Sequence, residues 1–327
     1  MKCFLASLLG LGLLSGAAAL AGTVQVDPAI PAYTPVSGVS GTIKSVGSDT
    51  MNNLMTLWSE GFRTYYPNIL PEIEGKGSAT APAALIAGTA TFGPMSREMK
   101  AAESDEFEKK FGYKPTGLPT GIDMLAVIVH KDNPLASLSL LQVDAIFSKA
   151  RKGGFGNDIK TWGDLGLTGE WAAAPISLYG RNSASGTYGY FKEHALFKGD
   201  FKDTVKEQPG TSSVVQAVAS DRFGIGYGGI GYVTADVRAL PLSKDGKAAP
   251  VAAIVENAYS GDYPLSRFLL VYVNAKPGSA LDPLRREFIR FIFSKQGQEV
   301  VIKDGYFPVP ATVASDALAS VGITAGQ

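Results

Sequence analysis

The chain has 327 residues, 30 basic and 30 acidic side chains, a net charge of zero and 45% apolar residues. That balance excludes a protein built to hold nucleic-acid phosphates across a broad basic face, and the apolar content excludes a disordered chain. One cysteine and two histidines, His130 and His194, leave no cluster with metal-ligand spacing, and the length fits about two domains.

Residues 1–21 have Lys2 as their only charged side chain, then an apolar run, and end with small residues at Ala19 and Ala21. This is the pattern of a cleaved signal peptide, with cleavage expected before Gly22 and a periplasmic or secreted mature protein. The run is too short and too weakly flanked for a permanent membrane span. Cys3 lies inside the leader, too early for lipid attachment, so the mature chain has no cysteine and rests on its hydrophobic core. Residues 22–40, rich in Pro, Val, Ser and Ala without a sustained period, read as an extended arm.

Regular structure begins near Gly41. Residues 42–46 alternate as a strand, and Gly47-Ser48-Asp49 turns it into a helix with Leu54, Trp58, Phe62 and Tyr65 on one face. A strand over 69–74 follows, then a helix over 79–87 stopped at Gly88. Two unusually apolar strands, 122–130 and 268–273, read as buried on both faces or shared between lobes. Between them, helices near 140–147, 187–196 and 212–219 alternate with strands at 176–180 and 223–227. A helical tail over 284–303 closes the chain. The alternation predicts an α/β protein with a largely parallel sheet.

One device recurs: a strand ends in a small polar turn that opens a helix. Such a turn presents free backbone N–H groups and the positive end of a helix dipole, which together attract an anion. The turns are Gly47-Ser48-Asp49-Thr50-Met51, Lys76-Gly77-Ser78-Ala79 and Tyr179-Gly180-Arg181-Asn182-Ser183-Ala184-Ser185-Gly186-Thr187. The third adds an arginine fork, matched to a tetrahedral oxyanion, and several hydroxyl donors. Helix capping alone is the competing explanation at any one turn.

From about Gly41 to about Pro310 the chain resembles the periplasmic phosphate-binding proteins of bacterial high-affinity phosphate ABC transport systems. These belong to the type 2 periplasmic-binding-protein superfamily. The run Arg181-Asn182-Ser183-Ala184-Ser185-Gly186-Thr187 is similar to the family's phosphate loop. The resemblance implies Arg181 as ion-pair partner, with Ser185, Gly186 and Thr187 as donors. It likewise implies Ser48, Thr50 and the Met51 backbone in the first turn, and Ser78 in the second. The family's aspartate after a Phe-Gly pair is replaced here, in Phe92-Gly93-Pro94-Met95-Ser96-Arg97, by Ser96, and Ser96 and Arg97 are carried as candidate ligands. A salt bridge from Arg97 to Glu98 or Glu103 is the alternative for that residue.

The implied architecture is a two-lobed α/β fold with discontinuous domains joined by two crossing strands. One lobe is expected to comprise 41–121 with 267–327, and the other 122–266. The implied function is capture of inorganic phosphate in the interlobe cleft for an inner-membrane ABC permease, by a monomer without cofactor, metal, nucleic-acid partner or catalytic residues. Two rivals stay open: another tetrahedral oxyanion, or a secreted phosphatase-like relative. With serine at position 96, discrimination of phosphate from sulfate is expected to be imperfect or to depend on an acceptor elsewhere, for which Asp49 and Asp123 are the candidates. Their structural alternatives are a helix cap and a hinge hydrogen bond. Gly224-Ile225-Gly226-Tyr227-Gly228-Gly229 fits a dinucleotide fingerprint formally, but no helix convincingly follows it.

Overall fold

The computed structural model describes residues 24–324. The leader, Cys3 and the cleavage point before Gly22 lie outside the described residues. In chain order the elements run β1 (Thr42–Val46), α1 (Asn52–Arg63), β2 (Leu70–Glu74), α2 (Thr80–Ala87), β3 (Gly93–Met95), α3 (Ala101–Phe111), β4 (Thr116–His130), β5 (Leu138–Ser139) and α4 (Leu140–Phe147). After two short 3-10 turns come β6 (Ser177–Arg181), α5 (Gly186–His194), β7 (Lys206–Gln208), α6 (Thr211–Ser220), β8 (Gly224–Gly229), β9 (Val237–Ala239) and β10 (Leu242–Ser243). The chain ends with α7 (Val255–Tyr259), β11 (Ser266–Val273), α8 (Pro283–Ile292), α9 (Lys295–Lys303) and α10 (Ala311–Ser320).

The main sheet has the order β3-β11-β4-β8-β6-β7, with β9 also on β4. The long strand β4 organises it. Its first part pairs antiparallel with β11, from Thr116 opposite Val273 to Met124 opposite Ser266, and its second part pairs antiparallel with β8 and β9. The expectation of a largely parallel sheet is therefore corrected: the crossing strands run out and back between the lobes and pair antiparallel. Parallel pairing is kept by β1 with β2, by β6 with β7 and β8, and by β5 with β10. The first crossing strand also starts at Thr116, not at residue 122, and takes in Pro119. Proline has no N–H for a ladder, and it is accommodated where the register with β11 shifts between Leu269 and Leu270.

Two large cores lie on either side of this crossing. One gathers Leu54, Trp58, Phe62, Phe288, Phe291 and Val301, and the other Leu125, Val127, Phe147, Trp162, Phe191 and Tyr227. Each such fully buried side chain contributes about 1.5–3 kcal/mol, so each lobe has its own driving force for folding. The predicted face of α1 is buried at Leu54, Trp58 and Phe62, whereas Tyr65 lies beyond the helix end and Tyr66 takes the buried place. The tail is two helices, because the Ser294 hydroxyl accepts the Gly297 N–H and starts a new one. The arm is strapped to the first core: the Tyr33 hydroxyl meets the Tyr66 hydroxyl at 2.8 Å and donates to Glu287 at 3.0 Å.

The glycines of the 224–229 run serve packing. A Cβ on Gly226 would lie 2.7 Å from Val214, and one on Gly228 2.6 Å from Thr211, so they let α6 lie close on β8. His130 accepts the Asp132 N–H, and His194 stacks on Tyr190 with ring centroids 4.2 Å apart.

Asp304, at the C-terminal end of α9, is half-buried beside Asn53 of α1, and burial pushes its carboxyl up to about 6. A carboxyl whose folded pKa is raised binds its proton more tightly folded than unfolded. Its stabilising contribution is complete below its unfolded pKa near 3.8 and is lost as pH rises through about 6. Asp304→Asn is expected to melt higher than the parent at neutral pH and to lack the parent's decline across that window. Parallel melting curves for the two proteins from about pH 4 to about pH 8 would contradict this.

Candidate anion-binding site

The strand-to-helix turns singled out in the sequence meet between the lobes. Ser48 and Thr50 lie between β1 and α1, Ser78 precedes α2, and Ser96 follows β3, while Ser185, Gly186 and Thr187 open α5 from the opposite side. Ser78, Ser96 and Thr187 are 0% exposed and Ser48 and Thr50 1%, so water does not satisfy these hydroxyls. They contact one another instead. Ser48 Oγ donates to Ser96 Oγ at 3.1 Å, Ser78 Oγ and Ser96 Oγ are 3.4 Å apart, and Thr50 and Thr187 hydroxyls meet across the cleft at 2.8 Å.

Capping does not account for most of them. Neither α1 nor α2 has a side-chain cap, so the side chains of Ser48, Asp49, Thr50 and Ser78 are not spent on capping; the first N–H groups there donate to backbone carbonyls, Asn52 to Asp49 O and Thr80 to Gly77 O. Ser78 Oγ accepts the Ser96 N–H at 3.0 Å. Ser185, by contrast, does cap α5, accepting the N–H groups of Thr187 and Tyr188. Three helices of eight residues or more therefore turn their positive ends toward one buried group of hydroxyls.

Arg181 ends β6 and is 2% exposed. Its NH1 donates to Thr211 Oγ1 at 2.8 Å and its NH2 lies 3.4 Å from Asp49 Oδ2, while its buried Nε has no protein acceptor. Burial pushes the guanidinium below its ordinary pKa, and the Asp49 charge partly offsets this. Asp49 is thus not a helix cap. Its carboxylate crosses the cleft to the arginine and to the Thr211 N–H at 3.2 Å. Closure is tight elsewhere as well: the Ala79 N–H donates to Ala184 O at 3.1 Å, and a Cβ on Gly186 would fall 2.2 Å from Ser78 Oγ.

Two candidate ligands are placed differently from the expectation. Arg97 turns away from the hydroxyls, with NH1 and NH2 on the Glu103 carboxylate at 2.8 and 2.7 Å, because that carboxylate at the start of α3 offers a bidentate partner. Met51 packs in the first core, and its N–H donates to Ser48 O within the turn. Residues not anticipated are Thr211, which holds Arg181, and Arg267. Asp123 and Arg267 face each other on the crossing strands: Nε and NH2 of the arginine donate to Asp123 Oδ2 at 3.0 and 2.8 Å. A signal for Arg267 was present, since it is the charged residue immediately before the apolar run 268–273.

A family model described as a PBP superfamily domain matches residues 32–296. The chain is 55% identical over 309 residues to the phosphate-binding protein PstS of Pseudomonas aeruginosa strain PAO1, covering 94% of this chain and 96% of the relative. Among solved structures, it is similar to a Clostridium perfringens protein assigned to phosphate ABC transport and solved with bound phosphate. That match has a TM-score of 0.69 and 27% identity over 82% of this chain and 100% of the other. A Vibrio cholerae ABC-type phosphate transport receptor matches in fold, with a TM-score of 0.63 and 23% identity, covering 82% of this chain and 100% of the receptor. With two lobes, two crossing strands and a family model spanning most of its length, the chain belongs to the PBP superfamily.

Proposed function

We propose that the protein captures inorganic phosphate between its lobes outside the cytoplasm and delivers it to an ABC permease, as a binding protein and as a monomer. The lobes are taken to divide at 121/122 and 266/267, and Ser48, Thr50, Ser78, Ser96, Arg181, Ser185, Gly186 and Thr187 to form the site. The observation that carries this reading is the buried hydroxyl group shared by both lobes beside a buried arginine whose Nε–H has no protein acceptor. A buried donor without a partner is costly, and an oxyanion satisfies several donors at once. Donors from both lobes converge only when the cleft is closed, so binding and closure are one event. The identities and phosphate assignments of the similar proteins support the same ligand.

Discrimination from sulfate requires an acceptor for a phosphate hydrogen. Asp123 has both oxygens engaged, by Arg267 and by the Ile230 N–H. Asp49 has an Oδ1 without a hydrogen bond and stands against Arg181, and we assign the role to it. Its carboxylate accepts from protonated phosphate and repels fully ionised sulfate. Isothermal titration of the mature chain is expected to show heat with phosphate and arsenate and none with millimolar sulfate, and Asp49→Asn is expected to narrow that gap. Equal affinity for sulfate in the parent would contradict the reading, as would metal-independent turnover of an aryl phosphate.

A further inference from the structure

Arg267 lies on β11, outside all three turns, and is 7% exposed. It forms a cross-strand ion pair with Asp123, which is 0% exposed, at the point where the two crossing strands run side by side. The pair alone would be a structural feature of the hinge. The remaining donors of the same guanidinium go elsewhere. NH1 donates to Ser96 O in the first lobe at 2.7 Å, and NH2 donates to Thr187 Oγ1 in the second at 3.1 Å. Tyr190 lies against the guanidinium, whose carbon is 5.2 Å from the ring centroid. One rigid cation thus touches the hinge partner, a backbone atom of the Ser96 segment and the hydroxyl of Thr187.

We infer that Arg267 is a positioning residue for the anion site, acting through Thr187 and locking both lobes in the closed arrangement. The inference rests on the phosphate-binding reading of the same site. The chemistry follows from the donor inventory. A hydroxyl has one hydrogen and two lone pairs. Because Arg267 NH2 occupies one lone pair of Thr187 Oγ1, the hydroxyl hydrogen points away from the arginine, and it and the second lone pair are what Thr187 offers to Thr50 and the anion site. Opening of the lobes separates Ser96 O from Thr187 Oγ1, and a single guanidinium then loses one of them. The arginine therefore adds to closure without contacting the anion. A lysine offers no planar fork and cannot reproduce all these contacts together.

The test is a double-mutant cycle on phosphate affinity. Arg267→Met alone would leave Asp123 buried and unpaired, so it is combined with Asp123→Asn, which keeps an acceptor for the Ile230 N–H. The combined variant is made in the parent and in Thr187→Val, with inorganic phosphate as the titrant and melting temperature followed in parallel. In the parent background, phosphate affinity is expected to fall about ten- to a hundredfold, as for loss of a charge-assisted hydrogen bond. In the Thr187→Val background the same change is expected to cost less than about threefold, because the route through the hydroxyl is already gone. A purely structural role would move the melting temperature while lowering affinity equally in both backgrounds, and that result overturns the inference. So does an affinity within about threefold of the parent. Should the combined variant not fold, Arg267→Lys in both backgrounds makes the same comparison. If the parent itself does not bind phosphate, the underlying reading fails, and this inference with it.

Discussion

Arg181→Ala is expected to weaken phosphate binding by about a hundred- to ten-thousandfold, corresponding to loss of two charge-assisted hydrogen bonds of about 1.5–3 kcal/mol each. The guanidinium is buried at the end of β6, fixed by Thr211 Oγ1 on one side and Asp49 on the other. Its effect on the anion is therefore that of a pre-oriented donor in a site with little water to screen it. Stability without phosphate should change far less. The partner left behind, Asp49, has a side chain 27% exposed, so water can solvate it once the arginine is gone. Arg181→Lys is expected to recover part of the affinity but not all, since it restores charge without the fork. Titration of the three proteins with phosphate, alongside thermal melts, checks this. An alanine variant within about threefold of parent affinity would remove Arg181 from the site.

Gly186→Ala should act by a different route and separate binding from folding most cleanly. Gly186 is the first residue of α5, and its added Cβ would lie 2.2 Å from Ser78 Oγ and 2.6 Å from Ser96 Oγ, both in the other lobe. Neither hydroxyl sits on a long side chain that can swing aside, so the lobes must stay slightly apart. Overpacking of this kind costs about 1–3 kcal/mol, which predicts phosphate affinity lower by about ten- to a hundredfold, with further loss from donors that no longer converge. In the open protein the methyl group meets no such obstacle, and alanine suits a helix better than glycine. The melting temperature without phosphate should be unchanged or slightly higher, and the increase on adding phosphate much smaller than for the parent. A variant that melts earlier without phosphate yet binds normally would contradict the cross-lobe account.

Much of this could be read from the sequence because the determining signals are local. The 3.6-residue spacing of Leu54, Trp58 and Phe62 set the inner face of α1, and the apolar runs near Asp123 and after Arg267 marked the crossing strands. The hydroxyl-rich turns were legible because an anion site at a helix start needs a distinctive set of short residues in few positions. What was not legible depended on distant partners. Whether Arg97 turns inward or outward is decided by Glu103, and Asp49 leaves its expected capping role for an N–H 162 residues away at Thr211. The sense of the sheet followed from the out-and-back path of β4 and β11, which strand–helix alternation does not encode. The start of β4 at Thr116 was not legible either, because Pro119 is accommodated only through the register shift with β11.

The most direct measurement is a crystal structure of the mature chain grown with phosphate. The account predicts one phosphate ion between the lobes, with oxygens about 3 Å from Arg181 and from hydroxyls of the Ser48, Thr50, Ser78 and Thr187 group, and with Arg97 still on Glu103. Phosphate bound at another place, or none between the lobes at a saturating concentration, would contradict it.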